Sequence, residues 1–324
     1  MRKRRGAVLT AAGTMIFVLL GAACRDVATP PSATAAEVST EAETWSPEKA
    51  DLLFVSNRDG NSEIYILRGS SSEWVNLTRD PAGDNWPEWS PDGRRIAFQS
   101  RRTGNLDIWV MNADGSDPVR LTDDPEHDYL PSWSPDGERI TFTSWRSEPG
   151  DAERANHIYV MNADGSDPHR LFPESPDTSA GVVSSSDGSF FVATRKIGEQ
   201  GSDVFLVEPD GEIRARLTDD EASNGAPALS PDGSRIAFYA ETEAGSELVL
   251  VNLDGSGRRS LATGRRSWYP RWSPDGKWLV YTAAKPGGDD ADLDVLAIPV
   301  DGGEPLLLAG GPNRESEGRW SPQP

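Results

Sequence analysis

The chain has 324 residues, with 52 acidic against 32 basic side chains, a formal net charge of −20 and 36 % hydrophobic residues. Residues 1–24 hold four bases and no acid, so the remainder sets 28 bases against 52 acids, a surface that repels phosphate backbones and argues against a nucleic-acid partner. A single cysteine, Cys24, excludes an intramolecular disulfide, so packing must hold the fold, and 11 tryptophans supply bulk for it.

The chain opens with a basic stretch, Met1–Arg5, followed by uncharged residues Gly6–Ala23, greasiest at Met15–Leu20. It closes with Leu20-Gly21-Ala22-Ala23-Cys24, which resembles the lipobox of bacterial lipoproteins, except that Gly21 stands where leucine is usual. The resemblance implies a signal peptide over residues 1–24, cleavage before Cys24 and a diacylglyceryl group on its thiol. Two chains suffice for stable attachment to a membrane. The 18 uncharged residues also reach the threshold for an uncleaved spanning anchor, and cleavage by an ordinary peptidase would release a soluble protein. Residues 25–44 are small, polar and proline-bearing and read as a flexible tether, with an r.m.s. span of roughly 25 Å.

From residue 45 onward a single unit recurs. Pro87-Glu88-Trp89-Ser90-Pro91-Asp92-Gly93 leads into Ile96-Ala97-Phe98, then Ile108-Trp109-Val110 and Asn112-Ala113-Asp114-Gly115, and closes on Arg120-Leu121-Thr122. Copies follow around Ser134, Ser230 and Ser273, a degraded one around Ser185, and partial ones at Ser46 and Ser321, with spacings of 43 to 51 residues. A period of this length with four short strands per unit marks a propeller blade. The Ser-Pro-Asp-Gly segments suit tight turns, since proline presets φ, aspartate bonds back to the backbone and glycine takes the φ > 0 position. Asn-Ala-Asp-Gly suits the hairpin into the outer strand. Ala97 and Ala237, between large pairs such as Ile96 and Phe98, leave room for the next blade.

Six second, third and outer strands can be counted, but seven inner ones, because Trp45-Ser46-Pro47 and Trp320-Ser321-Pro322 compete for one place. The reading is therefore all-β, a six-bladed β-propeller of four-stranded antiparallel blades over residues 45–324. These motifs resemble the repeats of the TolB family. That family's propeller follows a small α/β domain, whereas only the tether is read before the blades here, which leaves a Tol–Pal role open.

Catalytic signatures are absent: no G-x-S-x-G, H-E-x-x-H or phosphate-cradling glycine loop occurs. His157 and His169 fall at strand ends. His127, beside Asp128 and Tyr129, is the one histidine placed to act as a base. Asp290, Asp292 and Asp294 alternate loosely like calcium ligands, but Val295 stands where a calcium loop needs glycine, so neither metal nor cofactor is expected. The loops opposite the repeated turns vary, and variation on a rigid scaffold leaves room for recognition. They gather Trp86, His127, Tyr129, Trp145, Arg146, Arg195, Arg266, Trp268 and Tyr269 at a funnel mouth, rich in the aromatic and arginine side chains that dominate binding hot spots. The expectation is a monomeric binding or scaffolding module of the cell envelope. It would be lipid-anchored at Cys24, face the periplasm or exterior, and recognise a protein or glycan. The alternative is a glycan- or polymer-degrading enzyme, lyase or hydrolase, working in the funnel.

Overall fold

A computed structural model describes residues 46–69, 71–146, 156–172, 181–197, 201–288 and 291–322. The expected signal peptide, the tether, Cys24, Trp45 and Asp290 lie outside them. The described strands form six antiparallel four-stranded sheets arranged as the blades of a propeller. In blades 2 to 6 the strands run from the axis outward in chain order, as in blade 2, with Asp84–Trp89, Arg95–Ser100, Asp107–Asn112 and Val119–Arg120.

Blade 1 differs. Its inner strand is the C-terminal Glu315–Trp320, paired antiparallel with Leu52–Ser56, which is followed outward by Glu63–Arg68 and Glu73–Asn76. The choice between Trp45 and Trp320 thus falls to Trp320. The Ser321 amide donates to the Asp51 carbonyl at 2.8 Å, the same bond that Ser90 makes to Arg95 within blade 2 at 2.9 Å. The turn between inner and second strands is therefore cut in blade 1 and rebuilt from both ends of the ring, which leaves no open seam.

The core lies between blades. Ile96, Phe98 and Met111 of blade 2 pack on Leu53, Val55, Ile64 and Ile66 of blade 1. On the opposite face, Ala97, Ile108 and Val110 meet Trp133, Ile140 and Phe142 of blade 3. A strand buried on both faces explains why these segments are apolar throughout instead of alternating, and why alanine recurs where the neighbouring aromatic layer comes closest. Three motif tryptophans also carry a bond across a seam. Trp89 Nε1 donates to the Arg319 carbonyl at 3.4 Å, Trp133 to Glu88 at 3.2 Å and Trp272 to Ala228 at 2.9 Å. Arg95 and Arg235 then lie over the rings of Trp133 and Trp272, 4.6 and 4.9 Å from their centres.

The Ser-Pro-Asp-Gly turns close as their chemistry predicts. Ser90 Oγ donates to Asp92 at 2.6 Å and accepts the Arg95 amide at 2.9 Å. In the equivalent turn of blade 5, hydrogen bonds from Ser230 and Ser234 hold the Asp232 carboxyl down to about 2. In the hairpin at Asn112–Gly115 the glycine is required twice. It has φ +86°, and a Cβ there would stand 2.7 Å from the Leu77 carbonyl oxygen of blade 1.

Candidate functional site

Five of the six inner strands break their ladder at one place. Trp86, Leu130, Ala226, Tyr269 and Glu317 have φ between 47° and 60°, and Gly181 occupies the same position with φ 97°. The register of the strand pairing slips there in blades 1, 2, 3, 5 and 6. Such bulges cost about 1–3 kcal/mol each for a non-glycine residue and re-aim side chains, here around the propeller axis.

The bulge amides find acceptors on the preceding blade. The Leu130 amide donates to Gln99 Oε1 at 3.1 Å and the Glu317 amide to Thr282 Oγ1 at 3.0 Å. In blade 1 the position equivalent to Gln99 is Val55, which has no acceptor. Glu317 supplies one instead, its Oε2 taking the Trp86 amide at 2.6 Å. Glu317 is 4 % exposed, and burial raises its carboxyl above the usual range.

The inner strands enclose an axial cavity of about 560 Å³ that runs from the bulges to the Ser-Pro turns, within the usual range for ligand sites. At the bulge end Trp86 and Tyr269, from blades on either side of blade 1, meet edge to face with centroids 4.8 Å apart. Tyr239 joins Tyr269 at 5.7 Å. Burial pushes the Tyr239 hydroxyl up to about 12, aided by neighbouring Tyr269 and Glu241. Charge enters the cavity through Glu88, Arg271 and Arg319, and Arg319 Nε donates to Glu88 Oε2 at 2.8 Å.

Among the residues expected at the mouth, Trp86 and Tyr269 line this cavity. Trp268 is buried beneath them with Ala284 and Leu293, and Arg266 lies over its ring at 5.8 Å. A second cluster gathers on blade 3. His127 packs edge to face on Trp145 at 4.6 Å, and its Nδ1 accepts the Leu106 amide at 3.0 Å. The Tyr129 hydroxyl donates to Asn156 at 2.9 Å and accepts Trp145 Nε1 at 3.2 Å. Arg146 pairs with Asp128 at 2.7 Å and Asp124 at 3.2 Å. Arg195 stands 5.9 Å from the Phe205 ring centre, in blade 4. Asp294 pairs with Arg265 at 3.0 Å. Among the described residues, no three His, Cys, Asp or Glu side chains gather as metal ligands would.

Glu88, Arg271, Arg319, Glu317 and Tyr239 were not anticipated from sequence. Three of them were within reach. Strand alternation turns the motif tryptophan into the seam, so the residue before it must face the axis. Those residues are Glu88, Ser132, Arg271 and Arg319 in the four blades that keep the tryptophan.

A model of the TolB β-propeller domain matches residues 24–106, and one of the Tricorn protease N-terminal β-propeller domain matches residues 70–201. An uncharacterized protein of Agrobacterium fabrum is 35 % identical over 146 residues, covering 43 % of this chain and 50 % of that protein. A TolB homolog of Chlorobaculum tepidum is 30 % identical over 112 residues, 35 % of this chain and 24 % of the homolog. The chain thus spans half or less of the length of these curated relatives. The crystal structure of TolB from Acinetobacter baumannii aligns with a TM-score of 0.70 at 20 % identity, covering 85 % of this chain and 67 % of that one, a likeness of fold. Repeat motif, six-sheet ring and these matches agree: the chain is a six-bladed β-propeller whose repeats are similar to those of TolB-type propellers.

Proposed function

We propose that this protein is a binding propeller of the cell envelope, held to a membrane by a lipid on Cys24, that engages a partner at the bulge end of its axial channel. The observation that carries the reading is the aromatic wall of Trp86, Tyr269 and Tyr239 lining a ligand-sized cavity. Aromatic side chains are the usual anchors of recognition because they bury much area for few rotatable bonds. Two further features support it. The bulges impose strain at five of the six blades around the channel, and strain of this kind clusters at ligand sites. The similarity to TolB-type propellers favours a scaffold that binds proteins.

The membrane part of the reading rests on Leu20–Cys24 and the absence of any other thiol. Mass spectrometry of the protein from its native membrane should find a mature chain beginning at Cys24 and carrying acyl chains. An uncleaved Met1, or an unacylated chain beginning at Cys24, would refute it.

The site is tested by two variants carried through the same capture experiment on an envelope extract. Trp86→Ala with Arg266→Ala should lose at least tenfold in captured partner while its melting temperature drops by only a few degrees, since an aromatic pair contributes about 0.5–1.5 kcal/mol. Lys277→Ala, on the repeated-turn face, should capture as the unmodified chain does. The reverse pattern would move the interface to the turn face.

A further inference from the structure

The channel wall at mid-depth is made by one position per blade: Arg319, Glu88, Ser132, Val183, Ala228 and Arg271 from blade 1 round to blade 6. Two of its three charges satisfy each other, since Arg319 and Glu88 pair at 2.8 Å across the seam of blades 1 and 2. Glu317, beside them, is taken by the Trp86 amide. Arg271 is the exception. Its Nη1 donates to the Pro270 carbonyl at 2.9 Å and lies 3.5 Å from the Ala226 carbonyl. Among the described residues no carboxylate comes within 4.0 Å of it. The Ala226 contact ties the guanidinium to blade 5, while Glu88 and Glu317 act on its charge without touching it. Its Nε and Nη2 make no hydrogen bond to the described protein and stay accessible in the cavity that the side chain lines. Burial and the nearby Arg319 lower this guanidinium to about 9, which leaves it charged at neutral pH.

A cation that lines a cavity with its Nε and Nη2 donors unused has room for a direct ion pair that no side chain of the described residues makes. The Nε–Nη2 edge of an arginine fits a carboxylate through two parallel charge-assisted bonds, roughly twice as strong as neutral hydrogen bonds. The occupant is further limited by the rest of the molecule. A polyanion would bring many charges to a chain of net charge −20, whereas a peptide with one carboxylate brings one. The flanking walls of Tyr269, Tyr239 and Trp86 suit apolar neighbours of that group. Resting on the reading of the channel as the binding site, we infer that it receives an extended peptide segment whose single carboxylate is gripped by Arg271.

The carboxylate has two possible sources, a chain terminus or an acidic side chain. The test uses fluorescently labelled hexapeptides of alanine and phenylalanine in three forms: with a free C-terminus, with an amidated one, and amidated with one internal glutamate. Anisotropy titrations against the full chain should show one or both carboxylate forms bound at least tenfold more tightly than the neutral amide, and the stronger of them names the source. Arg271→Gln should erase that preference without weakening the neutral amide, and Arg271→Lys should keep part of it. Arg271 forms no ion pair, so both variants should melt within a few degrees of the unmodified chain. Equal binding of all three peptides, binding of none, or a preference that survives Arg271→Gln overturns the inference. The broader reading fails separately, when Trp86→Ala with Arg266→Ala leaves partner capture intact.

Discussion

Removing residues 313–324 is expected to lower the melting temperature by about 10 °C or more and to broaden the transition. The segment supplies the whole inner strand of blade 1, and every residue from Glu315 to Trp320 is buried. Its loss would strip the ladder from Leu52–Ser56 and expose Leu52 and Phe54, which pack with Trp320 against Val280, Val295 and Ala297 of blade 6. It would also unlatch blade 2, because the Trp86 amide loses Glu317 and Glu88 loses Arg319. Gly318 shows how closely the strand is seated, since a Cβ there would stand 2.7 Å from both Val280 and Val295. An edge opened at this seam breaks a closed ring, and in a repeat ring each blade depends on its neighbours for a core. Thermal unfolding followed by circular dichroism measures the effect. A melting curve unchanged by the deletion would mean that the segment around Trp45 takes the inner place.

The fold was legible in the sequence because it is written six times. Tryptophan, Ser-Pro-Asp-Gly and Asn-x-Asp-Gly serve the same seam and the same turns in blade after blade, so repetition itself identified them. Closure was only half legible. Trp45-Ser46-Pro47 and Trp320-Ser321-Pro322 read alike, and it takes the ladder from Trp320 to Leu52 and the bond from Ser321 to Asp51 to show which of them completes the ring. The channel escaped notice for the opposite reason. Its wall position holds Glu88, Ser132, Val183, Ala228, Arg271 and Arg319, six residues with nothing in common but their place. Whether an arginine there is paired depends on a partner far along the chain, as Arg319 depends on Glu88 at 231 residues' distance. The arginines after the second strands show a similar gap between sequence and surroundings. Arg102 and Arg146 follow their strands into loops that sequence places at the mouth. Each instead reaches a buried aspartate 18 residues earlier, Asp84 at 2.8 Å and Asp128 at 2.7 Å.

That pairing separates a binding arginine from a structural one, and Arg146→Ala is the variant to measure. The side chains of Arg146 and Asp128 are 16 % and 0 % exposed, and the guanidinium also stands 5.1 Å from the Tyr159 ring centre. Removing one partner of a buried pair strands the other, at a cost of about 3–5 kcal/mol when burial is complete. With the arginine partly exposed and Asp124 sharing it, about 3 kcal/mol is expected here, a fall of roughly 6–10 °C in melting temperature. Burial already holds the Asp128 carboxyl above its ordinary 3.8, opposed by Ser144 and Arg146. Without Arg146 it must rise further, so the folded variant takes up a proton that the unfolded chain binds only near the ordinary aspartate value. The resulting stability is fully present below that value and is lost as pH rises through the raised folded one. The variant's deficit should therefore be largest at neutral pH and shrink on acidification toward pH 4. Lys277→Ala, whose side chain is 78 % exposed at a repeated turn, should show neither the deficit nor this pH dependence. Urea unfolding of both variants at several pH values decides the matter, and a deficit for Arg146→Ala that is small and flat with pH would return this side chain to the recognition surface.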